Sequence, residues 1–194
     1  MEQDRETLCQ VCLLLYQRGY VVSNDGNVSV RIGEDQVLIT PSGVSKGRLT
    51  PDMLVVCDLE GRVLAGHLHP SSESAMHLLV YRERPDVGAV VHAHPPAATA
   101  FSICRRPLAQ HYLTETISGL GEVPVAPFAL PSTSQVPDSL RPYVAGCNGA
   151  LLANHGAIAW GRDLWHAFDR MEQVEQTAKI FALVHQLGGG VELS

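Results

Sequence analysis

Four histidines stand in two H-x-H pairs, His67-Leu68-His69-Pro70 and His92-Ala93-His94-Pro95, and the second pair closes an apolar run from Val87 to His92. On a strand, alternate side chains point to one face, so two imidazoles at this spacing converge on a point. Such a pair suits zinc, and an open catalytic zinc site takes a third protein ligand. His155 is the candidate, in Ala153-Asn154-His155-Gly156 at a tight turn between two apolar runs. Gly156 is expected to supply the backbone freedom of that turn. The ordinary alternative is a histidine hydrogen-bonded in a core or turn. Spacing alone does not separate the two pairs. The strand before His92 favours His92 and His94, because a rigid element holds metal ligands in place.

Pro70-Ser71-Ser72-Glu73 precedes a helical pattern. Ser71 or Ser72 is expected to cap that helix and Glu73 to fall in its first turn, where free N–H groups and the helix dipole favour anions. A phosphate fits such a start, and the carboxylate can ligate a metal or move a proton. The simpler reading is a cap followed by a surface carboxylate. Asp25-Gly26-Asn27 and Thr40-Pro41-Ser42-Gly43 either bring more backbone donors to an anion or are plain hairpin turns. Tyr112 and Glu115 lie in a weakly patterned stretch, each a proton donor or a surface group. Cys9 and Cys12 form a C-x-x-C within the helical pattern of Leu8, Val11 and Leu15, without the preceding strand of a redox motif, and read as core.

The elements that must position these residues follow from periodicity. Residues 4–18 read as an opening helix ended by Gly19. Runs at 27–32 and 36–40 form one hairpin, and Leu54 to Asp58 with Arg62 to Ala65 another. A helix from the Ser71-Ser72 cap stops at Arg84-Pro85, the Val87 to His92 strand follows, and Ala97 to Cys104 is helical after Pro95-Pro96. Further strands are expected at 122–128, 149–153 and 157–160, with a helix at about 138–145. A long helix runs from Asp163 to Leu187 and ends at three glycines. Frequent hairpins imply an α/β layered fold with a largely antiparallel central sheet covered by helices, in one domain over 1–194.

The 194 residues carry 45% hydrophobic and 18% charged side chains, a balance that suits a packed core rather than disorder. A net charge of −6 argues against nucleic-acid or anionic-membrane binding, which need basic surfaces. No apolar stretch is long enough for a transmembrane span, and the acidic start lacks the basic region of a signal peptide, so a cytoplasmic protein is expected. Five scattered cysteines suit reduced thiols.

Taken in order, Gly26-Asn27-Val28-Ser29, Thr40-Pro41-Ser42-Gly43, Pro70-Ser71-Ser72-Glu73, His92-Ala93-His94 and Asn154-His155-Gly156 resemble the class II aldolase/adducin family over nearly the whole chain, and within it the aldolases that cleave L-fuculose 1-phosphate. The resemblance implies zinc on His92, His94 and His155, with manganese or cobalt as alternatives, and Glu73 as the acid/base. It implies a phosphate cradle of Asn27, Ser42, Gly43, Ser71 and Ser72. It also implies that Tyr112 acts on the aldehyde half across a subunit interface of a homotetramer. The expected reaction cleaves a ketose 1-phosphate to dihydroxyacetone phosphate and a short aldehyde. Relatives with the same histidine set are 4-epimerases, decarboxylases or dehydratases of phosphosugars, and adducin-like heads are binding modules. Glu115 lies roughly where the dehydratase and a sister aldolase keep a carboxylate, and competes with Glu73. An epimerase-like pattern would place aspartate at position 73, which favours Glu73. The chain ends at Ser194, short of the tail that brings a further tyrosine over the aldolase site, so the substrate stays open.

Overall fold

Leu8, Val11, Cys12 and Leu15 recur at helical spacing, and all four are buried on one stripe of α1 (Glu2–Gln17) in the computed structural model, which describes residues 1–194. The Cys9 thiol beside this stripe is pushed up to about 11 by burial, and Cys12 is fully buried. Neither is the exposed thiol of lowered pKa that redox chemistry uses, so C-x-x-C is packing.

The strands are β1 (Asn27–Arg31), β2 (Gln36–Ile39), β3 (Val55–Asp58), β4 (Val63–Ala65), β5 (Ala89–Ala93), β6 (Val125–Ala126), β7 (Gly149–Leu152) and β8 (Gly156–Gly161). They form one sheet in the order β4-β3-β2-β1-β5-β8-β7-β6, antiparallel except between β6 and β7. The expected fold class stands: a mostly antiparallel sheet with helices on both faces.

Alternation sorts the side chains. Ala89, Val91 and Ala93 of β5 join Val28, Val30, Ala157 and Ala159 beneath α1, α3 (Pro96–Ile103) and α5 (Leu164–Gln186). Val90, Ile158 and Trp160 face the other way, onto Met76 and Leu79 of α2 (Ser74–Glu83) and Leu140 and Val144 of α4 (Gln135–Val144). α5 alone buries Phe168, Met171, Val174 and Phe181, and full burial of such a side chain is worth about 1.5–3 kcal/mol. Asn27, Ser29 and His92 share the α2 side, because each alternates with a residue of the opposite core.

Several boundaries move. The expected strand over 122–128 shrinks to β6, since Pro124 and Pro127 flank it and neither can donate to a ladder. α4 begins at Gln135 rather than near 138, because Pro137 falls in the first turn, where its missing N–H costs nothing. Glu73 is not in the first turn of α2 but at its N-cap, with φ −102° and ψ 11°. Its side chain makes no cap bond because it turns toward the histidines. Short helical turns at Lys46–Arg48, Pro51–Met53 and Thr116–Leu120 had no periodic signature.

Candidate functional site

Three central strands and the loops at one end of them build the site. In register, Asn27 of β1 lies opposite His92 of β5, and His92 lies opposite Ile158 of β8. His94 follows β5 on the same side as His92, two residues on. His155 ends the β7–β8 turn, where its N–H is donated to Leu152 O at 3.0 Å. The left-handed residue of that turn is Asn154, at φ 57°, and not Gly156 as expected. Gly156 serves close approach instead: a Cβ there would sit 2.5 Å from Ala93 O and 2.6 Å from His94 Cδ2.

The ligand atoms of His92, His94 and His155 all lie within 4.8 Å of one another. His92 is fully buried and its Nδ1 is 2.9 Å from Ala157 O. A carbonyl only accepts, so Nδ1 carries the proton and the bare Nε2 points at His94 Nε2, 3.2 Å away. Burial first, and the neighbouring His92 second, push His94 down to about 3 and His155 to about 4, so both imidazoles are neutral. Glu73 closes the group, with Oε2 3.3 Å from His92 Nε2 and Oε1 3.2 Å from His155 Nε2. Oε1 is buried without a hydrogen-bond partner. Burial raises the Glu73 carboxyl, but His92, His155 and the Asn27 amide outweigh it and hold it below the usual carboxylate range. Neutral imidazoles converging around an orphaned carboxylate oxygen are a donor set that a divalent cation fits. His67 and His69 are exposed in the connector after β4 and lie outside this group.

A polar cleft of about 210 Å³ opens beside Glu73, His94 and His155. Asn27, Ser42, Gly43, Ser71 and Ser72 all line it, so the five expected cradle residues meet. Backbone bonds zip their loops together: Ser42 N donates to His69 O at 2.9 Å and Ser71 N to Thr40 O at 3.1 Å. Ser71 Oγ accepts from Glu73 N at 3.3 Å, and Ser132 Oγ donates to Ser72 Oγ at 3.0 Å. Tyr112 and Glu115 are elsewhere. Tyr112 packs edge-on against Phe181 at 5.2 Å, and Glu115 is exposed and accepts from Thr114 Oγ1.

Lys46 was not anticipated. It is almost fully buried, lines the cleft, and donates from Nζ to Asn24 O at 2.8 Å and Val44 O at 3.0 Å. Burial lowers its pKa, and Cys12, Asp25 and Glu73 partly offset this. No carboxylate pairs with it within ion-pair distance, so one ammonium charge sits among the anion-type loops with carbonyl partners only. The one hint in the sequence was its place three residues after Gly43 of the Thr40 to Gly43 loop.

Residues 6–182 match the family model described as Class II Aldolase and Adducin N-terminal domain. The 3-oxo-tetronate 4-phosphate decarboxylase of Haemophilus influenzae is 36% identical over 185 residues, covering 91% of this chain and 86% of that protein. The L-fuculose phosphate aldolase of Methanococcus maripaludis is 33% identical over 190 residues, covering 95% and 99%. A solved L-fuculose 1-phosphate aldolase superposes with a TM-score of 0.94 at 33% identity, over 100% of this chain and 92% of its own. With the family model spanning most of its length, the chain belongs to the class II aldolase and adducin family.

Proposed function

We propose that this protein is a zinc-dependent class II aldolase that cleaves a ketose 1-phosphate, L-fuculose 1-phosphate or a similar deoxyketose phosphate, to dihydroxyacetone phosphate and a short aldehyde. The observation that carries the reading is a carboxylate facing two of three converging imidazoles at 3.2–3.3 Å, at the edge of a cleft lined by hydroxyl, amide and ammonium donors.

His92, His94 and His155 would hold zinc, with manganese or cobalt as alternatives. A bound divalent ion supplies Lewis acidity for the negative charge that develops beside the breaking bond. Ser42, Gly43, Ser71, Ser72 and Asn27 would bind the phosphate, with Lys46, the one lysine or arginine lining the cleft, supplying fixed positive charge. Glu73 would move the proton at the carbon next to the ketone, its Oε2 steadied by the Asn27 amide at 3.0 Å. Tyr112 would exchange the proton on the aldehyde oxygen at the site of a neighbouring subunit in a homotetramer, a role compatible with its position outside the cleft of its own chain.

The decarboxylase relative supports a second reading on the same groups, loss of carbon dioxide from a 3-oxo-tetronate 4-phosphate. One experiment separates the two. Zinc-loaded protein is given each substrate, with dihydroxyacetone phosphate measured by a coupled reduction and carbon dioxide by its release. The first reading expects dihydroxyacetone phosphate from the ketose 1-phosphate without carbon dioxide, lost with chelator and restored by zinc. Carbon dioxide and dihydroxyacetone phosphate released together from 3-oxo-tetronate 4-phosphate, with no cleavage of the ketose 1-phosphate, establish the second. A folded protein that takes up no zinc refutes both and leaves a binding module.

A further inference from the structure

Glu73, His77 and Tyr81 recur every four residues, so they share one face of the α2 helix and its N-cap. That face meets Asn27 and Ser29, which alternate onto one side of β1. Between them runs a file of buried polar groups with no opening to the cleft beyond Asn27. Asn27 Nδ2 donates to Glu73 Oε2 at 3.0 Å, and Asn27 Oδ1 lies 2.6 Å from His77 Nε2. Ser29 Oγ lies 2.7 Å from His77 Nδ1 and 2.8 Å from the Tyr81 hydroxyl. Ser29 and His77 are fully buried and Tyr81 almost so.

The protons in this file have only one order. The Glu73 carboxylate accepts, so the amide must turn its NH2 toward it and its oxygen toward His77. An amide oxygen also only accepts, so His77 Nε2 carries the hydrogen. Burial above all pushes His77 down to about 3, which keeps the ring neutral and leaves Nδ1 as an acceptor. Ser29 then donates to Nδ1 and accepts from Tyr81. Every group is satisfied once, and each bond sets the direction of the next.

We propose that His77 is a positioning residue: it fixes the orientation of the Asn27 amide, and through it the Glu73 carboxylate, so that the proton-transferring oxygen is aimed before substrate arrives. This rests on the reading of Glu73 as the acid/base. Without the N–H at His77 Nε2, the Asn27 oxygen loses its buried donor and the amide is held from the Glu73 end alone, and its flipped form would set oxygen against oxygen at Glu73.

The test pairs His77→Gln, which keeps an N–H near the Nε2 position, with His77→Leu, which removes it. For zinc-loaded protein the reading expects His77→Leu to lower kcat about tenfold or more, with KM within about twofold and zinc content unchanged, and His77→Gln to recover most of kcat. Unchanged kcat in His77→Leu, or equal loss in both variants, overturns it. In wild-type protein, nitrogen NMR of the imidazoles should show His77 protonated at Nε2 only. Protonation at Nδ1 refutes the proposal even if His77→Leu fails to fold. If wild-type protein cleaves no phosphosugar, the reading of Glu73 falls alone, and the NMR result still decides whether His77 orients Asn27.

Discussion

Gly156→Ala tests how tightly the metal group is built. The substitution adds one carbon at the start of β8, where it would lie 2.5 Å from Ala93 O and 2.6 Å from His94 Cδ2. Ordinary contact begins near 3.4 Å, so the neighbours must retreat by about 0.8 Å. Ala93 is held in the ladder opposite Ala157 and cannot give easily. The His94 ring must therefore swing. The backbone of Gly156 is not left-handed, so alanine gains about 0.4–1 kcal/mol from the unfolded chain. Overpacking costs about 1–3 kcal/mol, which leaves a net destabilisation between about 0 and 2.6 kcal/mol. Zinc–nitrogen distances tolerate only about 0.2 Å, so zinc affinity should fall at least about tenfold. The assay is titration of metal-free protein with zinc against a competing indicator, alongside urea unfolding, with His69→Ala as a control that leaves affinity unchanged. Zinc affinity within twofold of wild type, with an unchanged urea midpoint, would refute the derivation.

Two further outcomes follow from buried charge. Glu175 is fully buried and accepts from Ala97 N at 3.2 Å and Ala98 N at 2.9 Å, at the start of the helix that follows His94. Glu175→Ala should cost about 2–5 kcal/mol by leaving both amides bare, read as a lower urea midpoint at constant slope, and Glu175→Gln roughly half as much. A loss under about 1 kcal/mol in Glu175→Ala would show that water replaces the carboxylate. His77 titrates near 3 when folded against about 6.5 unfolded, so between these values the unfolded chain binds a proton that the folded chain refuses. Stability of the metal-free protein should therefore fall as pH drops from about 6.5 toward 3, with His77 contributing at most about 1.4 kcal/mol per pH unit. His77→Gln should flatten the curve by that amount, and equal slopes would mean that the ring is charged in the native state.

What could be read from the sequence was local. Apolar spacing of 3.6 marks α1 and α5, alternation marks β1, and a continuous apolar run marks β5, which is buried on both faces. His92 and His94 were readable for the same reason. Glu73, His77 and Lys46 obey no such rule. His77 sits among Met76, Leu78 and Leu79 in a helix whose pattern admits a polar residue only as an exception, and its partners Asn27 and Ser29 are about fifty residues away. Lys46 follows a loop, the setting where a lysine normally points to water, yet here it bonds two carbonyls beneath the cleft. Tyr112 needs a second chain before its proposed role has any geometry.

The two H-x-H pairs show why spacing alone was insufficient. His67 and His69 lie beyond β4, an exposed edge strand, where no further strand offers a carbonyl to fix either ring. His92 lies on a strand with neighbours on both sides: β8 supplies Ala157 O to choose its tautomer, and β1 supplies Asn27 to steady the carboxylate facing it. The third imidazole enters from the turn into that same β8. A pair of histidines becomes part of a group that could hold a metal only when the sheet order brings β1, β5 and β8 side by side, and that order is a property of the whole chain rather than of any motif in it.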